Sequence, residues 1–127
     1  MQIFAPPISH PLTKRIQRQI RFGDTCSVAV PALAEMLYGL LTLPRSQESM
    51  KAWYDGYSIM FNYYDIEVVD AEEAAHLQAR LRREGEQLHT VDALIAVVAI
   101  RYDLTLLTTD ADFHAISELN VENWLTS

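Results

Sequence analysis

The stretch VDALIAVVAIRYDLTLLTTDADF, from Val91 to Phe113, decides the fold class. Its apolar run Ala93–Ile100 predicts a helix that is buried on most of its surface. Leu104–Leu107 then reads as a short buried strand, and acidic residues follow at its end. A buried helix leading into a buried strand is typical of a parallel sheet with helices packed against it.

The same alternation of helices and strands extends along the rest of the chain, with no internal repeat and no long linker. It predicts an α/β fold of three layers (α/β/α), with a mainly parallel sheet, in a single domain over residues 1–127. The predicted helices are Ser9–Phe22, a helix opened by Pro31 and ended by Pro44, Ser46–Tyr64, Ala71 to about Arg83 after an Asp70 cap, a helix capped by Thr90, and a short helix Asp112–Ile116; the predicted strands are Cys26–Val30, Ile66–Val69, Leu104–Leu107 and Leu119–Val121.

The composition limits the possible functions. The 127 residues carry a formal net charge of −7, and a chain this acidic is a poor general binder of nucleic acid. A single cysteine forms no internal disulfide, and no apolar run reaches the ~18 residues that a membrane helix needs. The N-terminus lacks the pattern of a secretory signal, so a cytoplasmic location is expected.

Four carboxylates follow, or stand close to, the predicted carboxyl ends of strands: Glu35, Asp92, Asp110 and Asp112. Ligands of open α/β sheets bind beyond those strand ends. Each acid also has an ordinary explanation: Glu35 and Asp92 as acids near helix starts, Asp110 as a turn residue and Asp112 as a helix cap.

If the four acids meet at one edge of the sheet, their mutual repulsion requires a cation. Ligation by oxygen alone suits Mg²⁺ or Mn²⁺ rather than zinc. Such an ion polarises a phosphoryl oxygen and lowers the pKa of a water molecule, which is the chemistry of phosphodiester hydrolysis.

Several segments in this order resemble the PIN-domain family, in particular ribonuclease toxins of the VapC type. The resemblance covers about residues 10–124, and the order and spacing of the motifs carry it. The matching segments are VAVPALAEMLYG (Val28–Gly39), DAEEAAHLQARLRREG (Asp70–Gly85), VDALIAVVAI (Val91–Ile100), LTLLTTDADF (Leu104–Phe113) and ELNVENW (Glu118–Trp124).

The resemblance implies a metal-dependent endoribonuclease that uses Mg²⁺ or Mn²⁺, acts on RNA, forms a homodimer and is inhibited by a cognate antitoxin. It assigns metal binding and catalysis to Glu35, Asp92, Asp110 and Asp112. Thr108 or Thr109 would stand beside the metal as a hydrogen-bonding residue. A catalytically impaired PIN-fold protein that acts as a binding or interaction module is the alternative.

The N-terminus departs from the family pattern, in which a first strand ends in an Asp that ligates the metal. If Gln2-Ile3-Phe4 is the remnant of that strand, the positions of the family's Asp-Thr-Asn are held by Ala5-Pro6-Pro7. Otherwise the strand is absent and the reading frame begins upstream of Met1. The first interpretation keeps the sheet intact and removes one ligand, and the second removes a central strand and exposes two strand edges.

Two further surfaces are candidates for binding partners. The aromatic residues Trp53, Tyr54, Tyr57 and Phe61 are expected to form a dimer or partner surface, although a spacing of four residues also fits a helix face in the core. Basic residues are expected to guide RNA, or else to form a solvated face: Lys14, Arg15, Arg18 and Arg21, with Arg80, Arg82 and Arg83.

The remaining reactive side chains predict no site. His10, His76, His89 and His114 lack the spacing of zinc ligands. Cys26 lies in a predicted buried strand and is expected to belong to the core.

Overall fold

A computed structural model describes residues 2–4, 18, 23, 25–108 and 110–122 of the chain. Its strands are β1 Gln2–Phe4, β2 Thr25–Ala29, β3 Asn62–Tyr64, β4 Thr105–Leu107 and β5 Asn120–Glu122. Its helices are α1 Val30–Leu41, α2 Ser46–Asp55, α3 Val68–Arg83 and α4 Thr90–Arg101, with 3₁₀ helices at Tyr57–Met60 and Ala111–Ala115.

The five strands form one sheet in the order β3-β2-β1-β4-β5, and every neighbouring pair is parallel. The predicted α/β fold with a mainly parallel sheet is therefore confirmed. Parallel strands direct all their carboxyl ends toward one edge, and that edge positions the candidate site.

Strand β1 is central and short. Phe4, its last residue, lies in register with Ser27 of β2 and Leu106 of β4. The range predicted as a remnant strand, Gln2-Ile3-Phe4, is thus a strand that pairs on both sides. Ala5-Pro6-Pro7 follow it in sequence and lie outside the described residues.

The predicted long helix Ser46–Tyr64 is wrong in its second half. Helix α2 ends at Asp55, Gly56 follows, and Asn62–Tyr64 pairs with β2 as an edge strand. Gly favours a helix end, and aromatic residues fit a strand once a neighbouring strand offers its backbone. The sequence pattern gave no sign of that neighbour.

The predicted strand Ile66–Val69 is also wrong, because Val68 and Val69 form the first turn of α3. The capping residue is Glu67 instead of Asp70. Glu67 accepts a hydrogen bond from the backbone of Asp70, whose carboxylate accepts one from the Glu67 backbone N–H at 2.9 Å. This is a capping box, which satisfies two N–H groups that the helix leaves unpaired.

Helices α3 and α4 form an antiparallel pair joined by a short loop. The Gln78 side chain fastens this loop, since its Nε2 donates to the Leu88 carbonyl at 2.9 Å and to Thr90 Oγ1 at 3.2 Å. Helix α4 begins at Thr90, so His89 occupies the cap position and the predicted cap Thr90 is the first helical residue.

The core confirms that the apolar run of α4 is buried: Ile95 to Ala99 are all buried, and so are Leu106 and Leu107 of β4. Among the described residues, no helix has both the length and the apolar character needed to cross a membrane. Of the predicted helix Ser9–Phe22, only Arg18 is described, and it is helical and exposed.

Candidate functional site: a carboxylate-lined cavity

Three of the four predicted acids line one cavity of about 310 Å³. Glu35 comes from α1, Asp92 from the first turn of α4, and Asp110 from the segment after β4. Apolar and small side chains form the rest of the wall: Ala32, Met36, Ile95, Leu106, Thr108 and Phe113. Three acids from distant parts of the chain therefore share one concave surface.

Glu35 is placed by the short connection from β2 into α1. Strand β2 ends at Ala29 and α1 begins at Val30, with Pro31 in its first turn, where a missing N–H costs nothing. Glu35 is exposed and lies beyond that first turn, which contains no acid. A favourable interaction with the start of the helix dipole, which fades within the first turn, does not account for Glu35 at this position.

Asp92 is the third residue of α4 and is half-buried. Burial raises its pKa, and the negative charges of Asp110 and Asp112 raise it further. The nearby His89 acts in the opposite direction. Within the described residues the Asp92 carboxylate accepts no hydrogen bond and forms no ion pair, so no direct contact neutralises its charge.

Asp110 has a structural role as well. Its Oδ1 accepts a hydrogen bond from the Asp112 backbone N–H at 2.9 Å and so caps the 3₁₀ helix Ala111–Ala115. The interpretation of Asp112 as that cap is wrong, because Asp110 holds the position. Asp112 is exposed and is not part of the cavity wall, but its charge reaches Asp92.

Thr108 joins the cavity to the sheet. Its backbone N–H donates to the Glu122 carbonyl at 3.1 Å, and its hydroxyl accepts from the Asp110 N–H at 3.0 Å. These two bonds fix the direction in which the chain leaves β4. Thr109 lies outside the described residues.

The donors fit a hard divalent cation in kind but fall short in number. Carboxylate oxygens are the ligands that Mg²⁺ and Mn²⁺ prefer. Among residues 2–4, 18, 23, 25–108 and 110–122, however, no three His, Cys, Asp or Glu side chains stand close enough to hold an ion together. The residue that follows the central strand, Ala5, offers no ligand. The site is thus chemically suited to the cation and predicted to bind it weakly.

The proposed aromatic partner surface divides into two kinds of residue. Trp53 is only 3% exposed and Phe61 only 7%, and their rings stack with centroids 6.0 Å apart, so a role in a partner surface is wrong for both. Both belong to the hydrophobic core. Tyr54 is 66% exposed and remains available, while the Tyr57 side chain is outside the described set.

Among the predicted RNA-guiding residues of the N-terminal segment, Arg18 is described, and Lys14, Arg15 and Arg21 lie outside the described residues. Cys26 is buried in β2, and burial raises the pKa of its thiol to about 12, which agrees with a core residue. His10 is likewise outside the described residues, and His76 and His114 are exposed.

Sequence reasoning missed His89. It occupies the cap position of α4, three residues before Asp92, and its charge lowers the pKa of Asp92 against the acids around it. The cap position and the third helical residue face each other across a helix start. That spacing was visible in the sequence once the helix start was placed correctly.

The sequence matches the PIN domain family over residues 3–119. No curated protein sequence matches the chain significantly.

Solved structures share the fold along nearly the whole chain. A chain of VapBC2 from Rickettsia felis, bound to a DNA fragment from their promoter, is 21% identical, with 98% of this chain and 99% of that chain covered at a TM-score of 0.78. FitAcB from Neisseria gonorrhoeae is 15% identical, with 97% of each chain covered at a TM-score of 0.80. DNA-bound VapBC from Salmonella typhimurium is 17% identical, with 98% of each chain covered at a TM-score of 0.78.

Proposed function

This chain belongs to the PIN domain family, and from that premise we propose that it is a divalent-metal-dependent endoribonuclease of the VapC toxin type. One observation carries the proposal: Glu35, Asp92 and Asp110, from three separate elements, line one cavity at the carboxyl edge of the sheet. Uncompensated carboxylates in a shared cavity repel one another, and a bound cation relieves that repulsion.

Within this proposal, Glu35, Asp92 and Asp110 supply the carboxylate ligands of Mg²⁺ or Mn²⁺ and must draw closer together than they lie here to hold the ion. Asp112 adds negative charge nearby. When bound, the ion supplies polarisation of a phosphodiester oxygen and a lowered pKa of an attacking water. Thr108 keeps Asp110 in position through its hydroxyl, and Thr109 is a second candidate hydrogen-bonding residue. RNA is the substrate of this proposal.

The proposed partners are a cognate antitoxin and a second copy of the chain, and the proposed location is the cytoplasm. The solved structures that share the fold include VapBC complexes. Exposed apolar side chains support a contact with another protein, because their burial in an interface removes apolar surface from water and is favourable. They lie on α1, α2 and the 3₁₀ helix that follows: Tyr38, Leu41, Tyr54 and Ile59.

A calorimetric titration with Mn²⁺, followed by an RNA cleavage assay, tests the proposal. We expect saturable binding by the natural chain and a loss of affinity greater than about tenfold in Asp92→Asn, since even outer-shell changes cost ~10–100-fold. Asp103→Asn is the matched control. It removes the same charge at the other end of α4, where φ is 54° and Asn is well tolerated. Equal affinities of both variants would exclude the cavity as the metal site.

A second candidate function is a PIN-fold binding or interaction module that no longer cleaves RNA. The observation that favours it is the shortage of ligands, namely Ala5 after the central strand and the absence of a three-ligand group among the described residues. It predicts no saturable Mn²⁺ binding by the natural chain. Ala5→Asp should then create Mn²⁺ binding, and under the enzyme proposal it should strengthen binding that already exists.

A further inference from the structure

An acidic protein that binds RNA needs basic side chains that are not already paired with its own acidic residues. Most basic side chains in the described part of the chain are already paired. Lys51 Nζ lies 3.1 Å from Asp55, Arg80 lies 2.9 Å from Glu118, and Arg101 lies 3.0 Å from Asp70. The guanidinium of Arg45 also approaches Glu48, at 3.8 Å.

Arg82 and Arg83 differ from these residues. Both are exposed in the last turn of α3, and neither forms an ion pair or a side-chain hydrogen bond among the described residues. An exposed guanidinium with five free N–H donors is suited to bind phosphate in a two-pronged way.

The two arginines line an open groove of about 1040 Å³ beside the α3–α4 loop. Glu86 is the single acid in its wall, so the groove carries a net positive charge. The carboxylate cavity has three acids and no arginine or lysine. A third groove runs along α3 and α4 and shares Arg83 with the positive groove, and its wall contains equal numbers of arginines and acids. The wall of the positive groove consists of Gln78, Ala79, Arg82, Arg83, Gly85, Glu86, Gln87 and Leu88.

This groove leads to the start of α4. Gly85 adopts a φ of 82°, which L residues rarely adopt, and so turns the chain sharply after α3. The Gln78 amide then holds Leu88 and Thr90 against α3 through its two hydrogen bonds. His89 and Asp92 follow directly, so the loop connects the arginines with one wall of the carboxylate cavity.

We propose that Arg82 and Arg83 bind the phosphate backbone of the RNA substrate and lead the strand toward the carboxylate cavity. The proposal rests on the function proposed above, because it names a contact for that substrate. In this proposal the two arginines attract the RNA phosphates, which the carboxylates of the cavity repel. Arginines in the last turn of a helix also interact favourably with the helix dipole. That interaction stabilises the fold and does not change the affinity for RNA.

The test is fluorescence anisotropy of a labelled single-stranded RNA oligonucleotide in EDTA, at several NaCl concentrations. The double variant Arg82→Gln/Arg83→Gln should weaken binding about tenfold at low salt. It should also reduce the slope of log affinity against log salt by about 1.4, since each phosphate contact contributes ~0.7 for single strands. Glu86→Gln, which removes the opposing charge, should tighten binding.

The control is Arg45→Gln/Lys51→Gln, which removes two charges from α2, where both residues are paired. Thermal melts of all variants check that each is folded. Equal losses in the two double variants, or an unchanged salt slope in Arg82→Gln/Arg83→Gln, would overturn the proposal. Absence of RNA binding by the natural chain would overturn it as well.

Cleavage with Mn²⁺ separates this inference from the enzyme proposal. If the natural chain cleaves RNA and the arginine variant binds RNA with unchanged affinity, the proposed contact of Arg82 and Arg83 is wrong, and the proposed ribonuclease activity is supported. If binding depends on the arginines but the natural chain never cleaves RNA, the contact stands and the enzyme proposal fails.

Discussion

Helices α3 and α4 both carry an aspartate as their third residue, and the two aspartates have opposite surroundings. Asp70 of α3 has a side chain only 2% exposed, completes a capping box with Glu67 and lies 3.0 Å from the guanidinium of Arg101. Both carboxylate oxygens of Asp70 therefore have a partner within the fold.

Asp92 of α4 has none of these partners among the described residues. His89, at the cap position, makes no side-chain cap bond, and burial, together with the charges of Asp110 and Asp112, raises the pKa of Asp92. The same position in a helix thus serves structure in α3 and leaves a carboxylate available to a ligand in α4. The neighbours supplied by the tertiary fold decide between the two.

The largest expected effect comes from removing the partnered acid. Asp70→Ala breaks the capping box and removes one of the two carboxylates that pair with Arg101, while Glu67 still lies 3.2 Å from that guanidinium. We expect a loss of about 1–2 kcal/mol in the free energy of unfolding, mainly from the lost cap. Urea unfolding measures it. Glu72→Ala, an exposed acid on the same helix, should change stability by less than about 0.5 kcal/mol. Similar losses in both variants would mean that the capping box and the pairing with Arg101 do not make Asp70 more important for stability than an exposed acid.

A smaller effect should follow from giving α4 the cap that it lacks. His89 has the extended backbone typical of a cap residue (φ −68°, ψ 154°), so His89→Ser should add a cap hydrogen bond and stabilise the protein by about 0.5–1 kcal/mol. The loss of the His89 charge should also raise the pKa of Asp92, which ¹³C NMR of the carboxyl group would follow. An unchanged pKa would show that His89 does not act on Asp92.

The smallest effect concerns the pH dependence of the unpartnered acid. Because the pKa of Asp92 is higher in the fold than its ordinary value of 3.8, ionisation of this group destabilises the fold as pH rises. Asp92→Asn should therefore stabilise the protein at neutral pH by a few tenths of a kcal/mol, given the screening at a half-exposed group.

That gain should disappear below about pH 3.8, where both chains are neutral at this position. Urea unfolding at neutral and acidic pH measures the difference, with Glu72→Gln as the control. A variant that is less stable at neutral pH would show that the helix dipole stabilises the Asp92 carboxylate more than its neighbours disfavour it.

Much of this fold could be predicted because many of its helices and strands depend on residues that are close together in the sequence. The apolar run of α4, the strand after it and the Pro31 helix start depend on periodicity and backbone geometry, which act within a few residues. The boundaries around Asn62–Tyr64 and Val68 could not be predicted in this way. At Asn62–Tyr64, pairing with β2 outweighed the helical spacing of the aromatic residues, and at Val68 the Glu67–Asp70 box outweighed the β preference of valine.

The sequence by itself determined the α/β class, the family and the identity of the acids that precede or follow its buried segments. Only the tertiary structure decided which acids share a cavity, since Glu35, Asp92 and Asp110 meet through the parallel register of strands distant in sequence. It also decided that Asp70 is neutralised and Asp92 is not. The energy of a charge depends on the partners and the solvent around it, and those are set by contacts between segments far apart along the chain.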